Sequence, residues 1–198
     1  MPGQKQFDPT VALDKAIQVF WRYGYHLASV DVLTKATGLG RGSLYGTFGS
    51  KDQLFLACLR RYMSTVSAEN AAALTSRPDD HRAAIGAFFA AVIDRFQRPE
   101  NPPGCLGANT AHEWSELDPN IQEAAREIMT AQQRSIEEVL TEAKRRKRLP
   151  AETDIPTLAS YVLGTSRTLA MMHRSGTDIA TIRGVAEIAL AAIPVRRA

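Results

Sequence analysis

Six times along the 198-residue chain a short polar side chain stands just ahead of an apolar pattern with helical spacing. The positions are Asp8, Ser29, Ser50, Asp118, Asp154 and, with Thr177 beside it, Asp178. Such side chains accept the backbone N–H groups that the first turn of a helix leaves unpaired. Pro9 and Pro119 follow their caps directly, where a missing N–H costs nothing. Ser50 and Gln53 have the spacing of a reciprocal capping box. Apolar residues recur at i, i+3, i+4 and i+7, as in Leu13, Ala16, Ile17 and Phe20. No segment of useful length alternates apolar with polar residues, and no Asn-Gly or Asp-Gly hairpin occurs. The expected fold class is all-α, with about nine helices.

The shortest predicted helices carry the most information. One begins after Ser29 and buries Val30, Leu33 and Ala36. Thr37-Gly38-Leu39-Gly40 breaks it, Gly38 taking the left-handed conformation that stops a helix. A very short helix from about Arg41 to Gly46 follows, with Leu44 inward and Phe48 on the same side. Two short helices joined by a glycine turn form a helix-turn-helix. The second is too short to build a core, so its outer residues are free for contact. An arginine such as Arg41 can bond guanine O6 and N7 in a major groove. Gly42 permits close approach, Ser43 and Thr47 offer hydroxyls to bases or phosphates, and Tyr45 offers a phenol to a phosphate. Helix starts at Ser29 and Ser50 present N–H groups and a positive dipole end, and Lys51 adds charge.

Charge follows the same division. Residues 1–66 hold eight Lys/Arg and four acids, net +4, whereas the rest is net −1. A basic third on a near-neutral body fits one surface for a polyanion and another part for something else.

Ala12, Phe20, Gly24 and Tyr25, then Ser29-Val30-Asp31-Val32, then the run from Thr37 through Gly42-Ser43-Leu44-Tyr45-Gly46-Thr47-Phe48-Gly49-Ser50-Lys51 to Leu54, resemble the DNA-binding domain of the TetR family of transcriptional repressors. The likeness is continuous over about residues 6–66. Gly46 departs from the pattern, which usually has a larger residue there. The resemblance implies a helical, homodimeric, cytoplasmic regulator. It would bind a near-palindromic double-stranded operator through Ser29, Arg41, Gly42, Ser43, Tyr45, Thr47 and Lys51, and a small-molecule inducer would release it. It further implies a ligand-sensing and dimerisation domain over residues 75–198. The dimer would pair the last two helices, about 154–173 and 178–193. In a monomer those helices would instead complete the core.

The sensor is read less sharply. Cys105 follows Pro102-Pro103-Gly104 and is expected in the first turn of a helix running through Trp114, where the dipole favours a thiolate. Gly104-Cys105-Leu106 with Asn109 resembles a branch of the family containing electrophile-sensing repressors. The other reading is a small buried hydrophobe, the role expected of Cys58. Phe89, Trp114 and Met129 are candidates to line a lipophilic pocket with Asn109 as a polar handle. The basic run 144–148 reads as the solvated end of a helix. No nucleophile elbow, phosphate loop or zinc-binding helix is present, and His26, His81, His112 and His173 are scattered, so neither catalysis nor a metal or cofactor is expected. No apolar stretch approaches the roughly 20 residues of a membrane span. The rival class is a helical enzyme or interaction protein that uses this fold without DNA.

Overall fold

A computed structural model of the chain describes residues 7–196. Its elements are α1 (Pro9–Leu27), α2 (Val30–Thr37), α3 (Arg41–Phe48), α4 (Lys51–Thr75), α5 (His81–Phe96), α6 (Leu106–His112), α7 (Pro119–Arg145), α8 (Ile155–Arg174) and α9 (Ile179–Ala191), with a 3-10 turn at Trp114–Glu116. There is no strand among the described residues.

All six sequence-read caps are made. Asp8, Ser29, Ser50, Asp118, Asp154 and Asp178 each accept a first-turn N–H, and Gln53 closes the capping box. Asp80 adds a seventh at α5. At α6 the helix is shorter than expected. It ends at His112, and Trp114 falls in the 3-10 turn, so Cys105 is the N-cap residue rather than a first-turn residue.

Two hydrophobic clusters organise the molecule. The first is built on Phe20, Leu33, Leu44, Leu54, Phe55 and Leu59 and also takes Leu106, Ile121, Ala125 and Met129 from α6 and α7. The second holds Ile85, Phe88, Phe89, Ile136, Leu140, Val162, Leu169 and Ile182. α4 runs unbroken between them, contributing Leu54 to one and Leu74 to the other. The sequence reading divides the chain within this single helix.

Candidate functional site

α2 and α3 are held by one fully buried leucine each, Leu33 and Leu44. Gly38 has φ +75 and its N–H donates to the Thr34 carbonyl, closing α2. Thr37 spends its hydroxyl on the Leu33 carbonyl at 2.8 Å. With so little of α3 buried, Arg41, Gly42, Ser43 and Gly46 form an exposed outer face. Arg41 makes no hydrogen bond or ion pair among the described residues. Gly40 supplies no side-chain cap, so the α3 start keeps its N–H groups open. A Cβ at Gly42 would meet nothing within 4 Å, so its smallness serves the surface and not the core. Tyr45 and Thr47 are half-buried, and Tyr45 packs against the first cluster. Ser29 is exposed and caps α2 through the Val32 N–H at 3.3 Å.

Lys51 is less free than the sequence implies. Its ammonium lies 4.5 Å from the Tyr25 ring centroid and 3.5 Å from the His26 carbonyl oxygen. Burial pushes its pKa down, while Asp52 and Glu113 pull the other way. Tyr25 donates its hydroxyl to Asp52. Burial, then that contact, raise the Tyr25 pKa. The sequence reading missed this Tyr25–Asp52–Lys51 cluster. Its only trace there was the capping box that starts α4.

A second feature joins this head to the rest. Gly24 kinks α1 at φ +76 and ψ −177. The kink splits the helical pairing of the Tyr25 N–H with the Trp21 carbonyl. Both groups find partners elsewhere. The Tyr25 N–H donates to Glu113 Oε2 at 2.8 Å. The Trp21 oxygen accepts from Asn109 Nδ2 at 3.0 Å and Arg174 Nη1 at 3.3 Å. Three side chains from α6, its C-cap and α8 thus complete a broken turn of α1. Asn109, expected as a ligand handle, is spent on this clamp and is 5% exposed.

Cys105 is half-buried four residues before Asn109. Tyr62 directs its hydroxyl at Cys105 Sγ, 3.4 Å away. Burial and the neighbouring thiol raise the Tyr62 pKa. Both residues line a cavity of about 30 Å³ with Met129 and Arg167. An open groove of about 260 Å³ between α7 and α8 shares Met129 and Arg167 and adds Trp114. Phe89 lines neither, because it is 2% exposed inside the second cluster. Cys58 is fully buried, and burial drives its pKa up, as expected of a packing thiol.

His173 fixes the loop before Cys105. Its Nδ1 accepts the Gly104 N–H at 3.1 Å, and its ring stacks on Phe96. Burial lowers its pKa from 6.5. The contribution of the neutral ring is complete above the unfolded value and is lost as pH falls through the lower folded one. Thermal stability is therefore expected to decline with acidification below about 6.5, and His173→Gln should flatten that part of the pH profile. A slope identical in both proteins would remove His173 as its source.

The last two helices divide differently from expectation. Leu169 and Ile182 are fully buried in their own chain, with Ala186 and Ala189 close behind. They belong to the second cluster. Tyr161 on α8 is exposed, and its hydroxyl reaches back to the Ala189 carbonyl. The uncovered apolar face is Tyr161, Met171 at 51% exposure and Ile188 at 74%, with Gly164 between. The basic run is a helix end tied by Arg145 and Arg146 to Glu142, and by Arg146 and Arg148 to Asp79. Among the described residues no group of acids, histidines and cysteines could hold a metal, and no helix is long and apolar enough to cross a membrane.

Known proteins share this arrangement. Residues 12–58 match the family model of bacterial regulatory proteins, tetR family, and residues 82–188 match that of the tetracyclin repressor-like C-terminal domain. The transcriptional repressor ComR of Escherichia coli K12 is 29% identical, covering 92% of this chain and 87% of its own. The uncharacterized regulator YezE of Bacillus subtilis 168 is 30% identical, covering 98% and 100%. A cysteine mutant of the TetR family regulator CifR, solved with 26-base-pair double-stranded operator DNA, superposes with a TM-score of 0.85 at 28% identity over 98% of this chain and all of that one. The reduced form of E. coli NemR shares the fold alone, with a TM-score of 0.81 at 16% identity. With a reading head and a helical body each matched across most of its length, this chain belongs to the TetR family of bacterial regulatory proteins.

Proposed function

We propose that the protein is a ligand-responsive, DNA-binding transcriptional repressor acting in the cytoplasm as a homodimer. Residues 6–66 read the operator and residues 75–198 sense and dimerise. The observation that carries the reading is the outer face of α3. Arg41, Gly42 and Ser43 stand exposed at an uncapped helix start, with Arg41 unpaired among the described residues. Arg41 reads a base edge. Ser29, Ser43, Tyr45, Thr47 and Lys51 set the register on the phosphates. The operator complex of CifR and the repressor name of ComR support the same reading.

One α3 reads one half-site. A second copy must present its own α3 about 34–36 Å away to enter the next major groove on the same DNA face. The uncovered face of Tyr161, Met171 and Ile188 on α8 and α9 is the surface for that pairing. A bound or attached molecule releases the DNA only as far as it favours a spacing that does not fit. The clamp on α1 is the route. Asn109 lies on the same short helix that Cys105 caps, so a displacement of α6 loosens the hold on Trp21 and Tyr25, next to α2.

Cys105 is the proposed sensor, its thiol adding to an electrophilic carbon. N-ethylmaleimide is the probe. The sulfur forms a bond to an alkene carbon, the C=C π bond breaks, and the other carbon takes a proton. In a mobility-shift titration with the chain's own upstream DNA, the reagent is expected to weaken wild-type binding at least about tenfold and to leave Cys105→Ser unchanged. Equal release of both proteins refutes the thiol sensor. Equal affinity for every DNA sequence, before any reagent, refutes the regulator itself.

A further inference from the structure

Arg167 has no counter-charge among the described residues. Its side chain is half-buried on α8, and burial lowers its pKa while Cys105 opposes the shift. It makes no hydrogen bond or ion pair among the described residues. Several arginines of the same half are engaged, Arg95 and Arg98 with Glu69, Arg146 and Arg148 with Asp79, Arg174 with the Trp21 carbonyl, while Arg82 and the exposed Arg134 have no such partner but line neither space. A partly desolvated cation left without a partner is costly. Proteins keep such a group where something else supplies the charge.

The space around it has the matching character. Arg167 forms part of the wall of both the small cavity at Cys105 and the open groove between α7 and α8. No aspartate or glutamate lines either one. In the groove stand the Trp114 ring, with the Arg126 guanidinium 5.4 Å from its centroid, and the unbranched side chain of Met129. A flat apolar surface, an adaptable thioether and a fork of unpaired donors together suit a planar body with an acid at one end.

We propose that Arg167 anchors the carboxylate of a small aryl organic acid, whose planar apolar ring lies in the α7–α8 groove against Trp114 and Met129, with the Cys105 cavity next to it. This deepens the sensor assignment of the C-terminal half and rests on it. Guanidinium and carboxylate pair through two parallel N–H···O bonds, which a neutral amide of the same shape cannot reproduce. Met129 and Arg167, shared by both spaces, are the only side chains between the acid and the Cys105 cavity that line the two at once.

The test is calorimetric titration of the full chain with 3-phenylpropanoate and, as its neutral counterpart, 3-phenylpropanamide. Neither is an electrophile, so Cys105 chemistry plays no part. The acid is expected to bind roughly ten- to hundredfold more tightly than the amide. Arg167→Met should remove that preference while leaving amide binding unchanged, which also shows that the variant is folded. Arg167→Lys should restore part of it. Equal affinity for acid and amide, unchanged acid binding in Arg167→Met, or no binding of the acid at millimolar concentration each overturns the site. A weakened dimer in Arg167→Met with acid binding intact also overturns it, by placing the guanidinium at the subunit contact. Operator release is scored separately. Arg167-dependent acid binding that leaves the DNA bound refutes the sensor assignment and keeps the site. Release by other molecules without acid preference does the reverse.

Discussion

Gly24→Ala is expected to lower the melting temperature by roughly 5–20 °C. At φ +76 and ψ −177 the backbone occupies a region essentially reserved for glycine, and a side chain there costs about 1–3 kcal/mol. A Cβ would stand 2.0 Å from Glu113 Oε1. The carboxylate must then leave, and the Tyr25 N–H loses its acceptor for about another 1–3 kcal/mol. In a chain of this length each kcal/mol moves the midpoint by roughly 2–4 °C. The double variant separates the two parts. With Glu113 already replaced by alanine there is no carboxylate to displace, so Gly24→Ala should cost less in that background than in the wild type. Glu113→Gln, which keeps an acceptor oxygen, should lose far less than Glu113→Ala. Strictly additive losses in the double variant would mean that the carboxylate does not clamp the kink. Operator affinity should follow the same order, because the turn beyond Gly24 leads into Ser29 and α2.

This clamp was invisible in the sequence, and the reason is physical. Helix starts, the left-handed stop at Gly38 and the inward Leu33 and Leu44 are encoded within a few residues of each other, so spacing alone places them. The clamp joins Trp21 and Tyr25 to Glu113, Asn109 and Arg174, residues about 90 and 150 positions away. Nothing near Gly24 in the sequence tells a kink from a helix end, since a glycine at positive φ serves either. Asn109 next to a cysteine looked like a ligand handle because nothing local showed a distant carbonyl waiting for it. The last two helices show the converse limit. Periodicity finds the apolar side of α8, but which of those residues its own core consumes depends on how α9 crosses it. Leu169 was consumed, and Tyr161 was left outside. Likewise Phe89 has the composition of a pocket residue and the burial of a core one.

Arg41→Ala and Lys51→Ala are expected to weaken operator binding in different ways, and the difference tests the reading head more sharply than either loss alone. Arg41 is exposed and unpaired at the uncapped start of α3, so it is free to take both acceptors of a guanine. Removing it should cost about 1–3 kcal/mol per half-site, roughly 5- to 150-fold. Discrimination should vanish at one base pair in each half, while binding to unrelated DNA barely changes. Lys51 sits at the start of α4 with its ammonium over the Tyr25 ring. Its proposed contact is with a phosphate. Lys51→Ala should therefore weaken every sequence by a similar factor and reduce the salt slope by about one per chain, two per dimer. Because the ammonium also leans on Tyr25 and the His26 carbonyl, Lys51→Ala should lower stability slightly as well. Arg41→Ala should not, since Arg41 is exposed and makes no hydrogen bond or ion pair among the described residues. Titrations at four salt concentrations against the operator and a scrambled duplex read all of this at once. If Arg41→Ala lowers affinity for both duplexes equally and changes the salt slope as Lys51→Ala does, then Arg41 is one more phosphate contact, and sequence is read from elsewhere on α3.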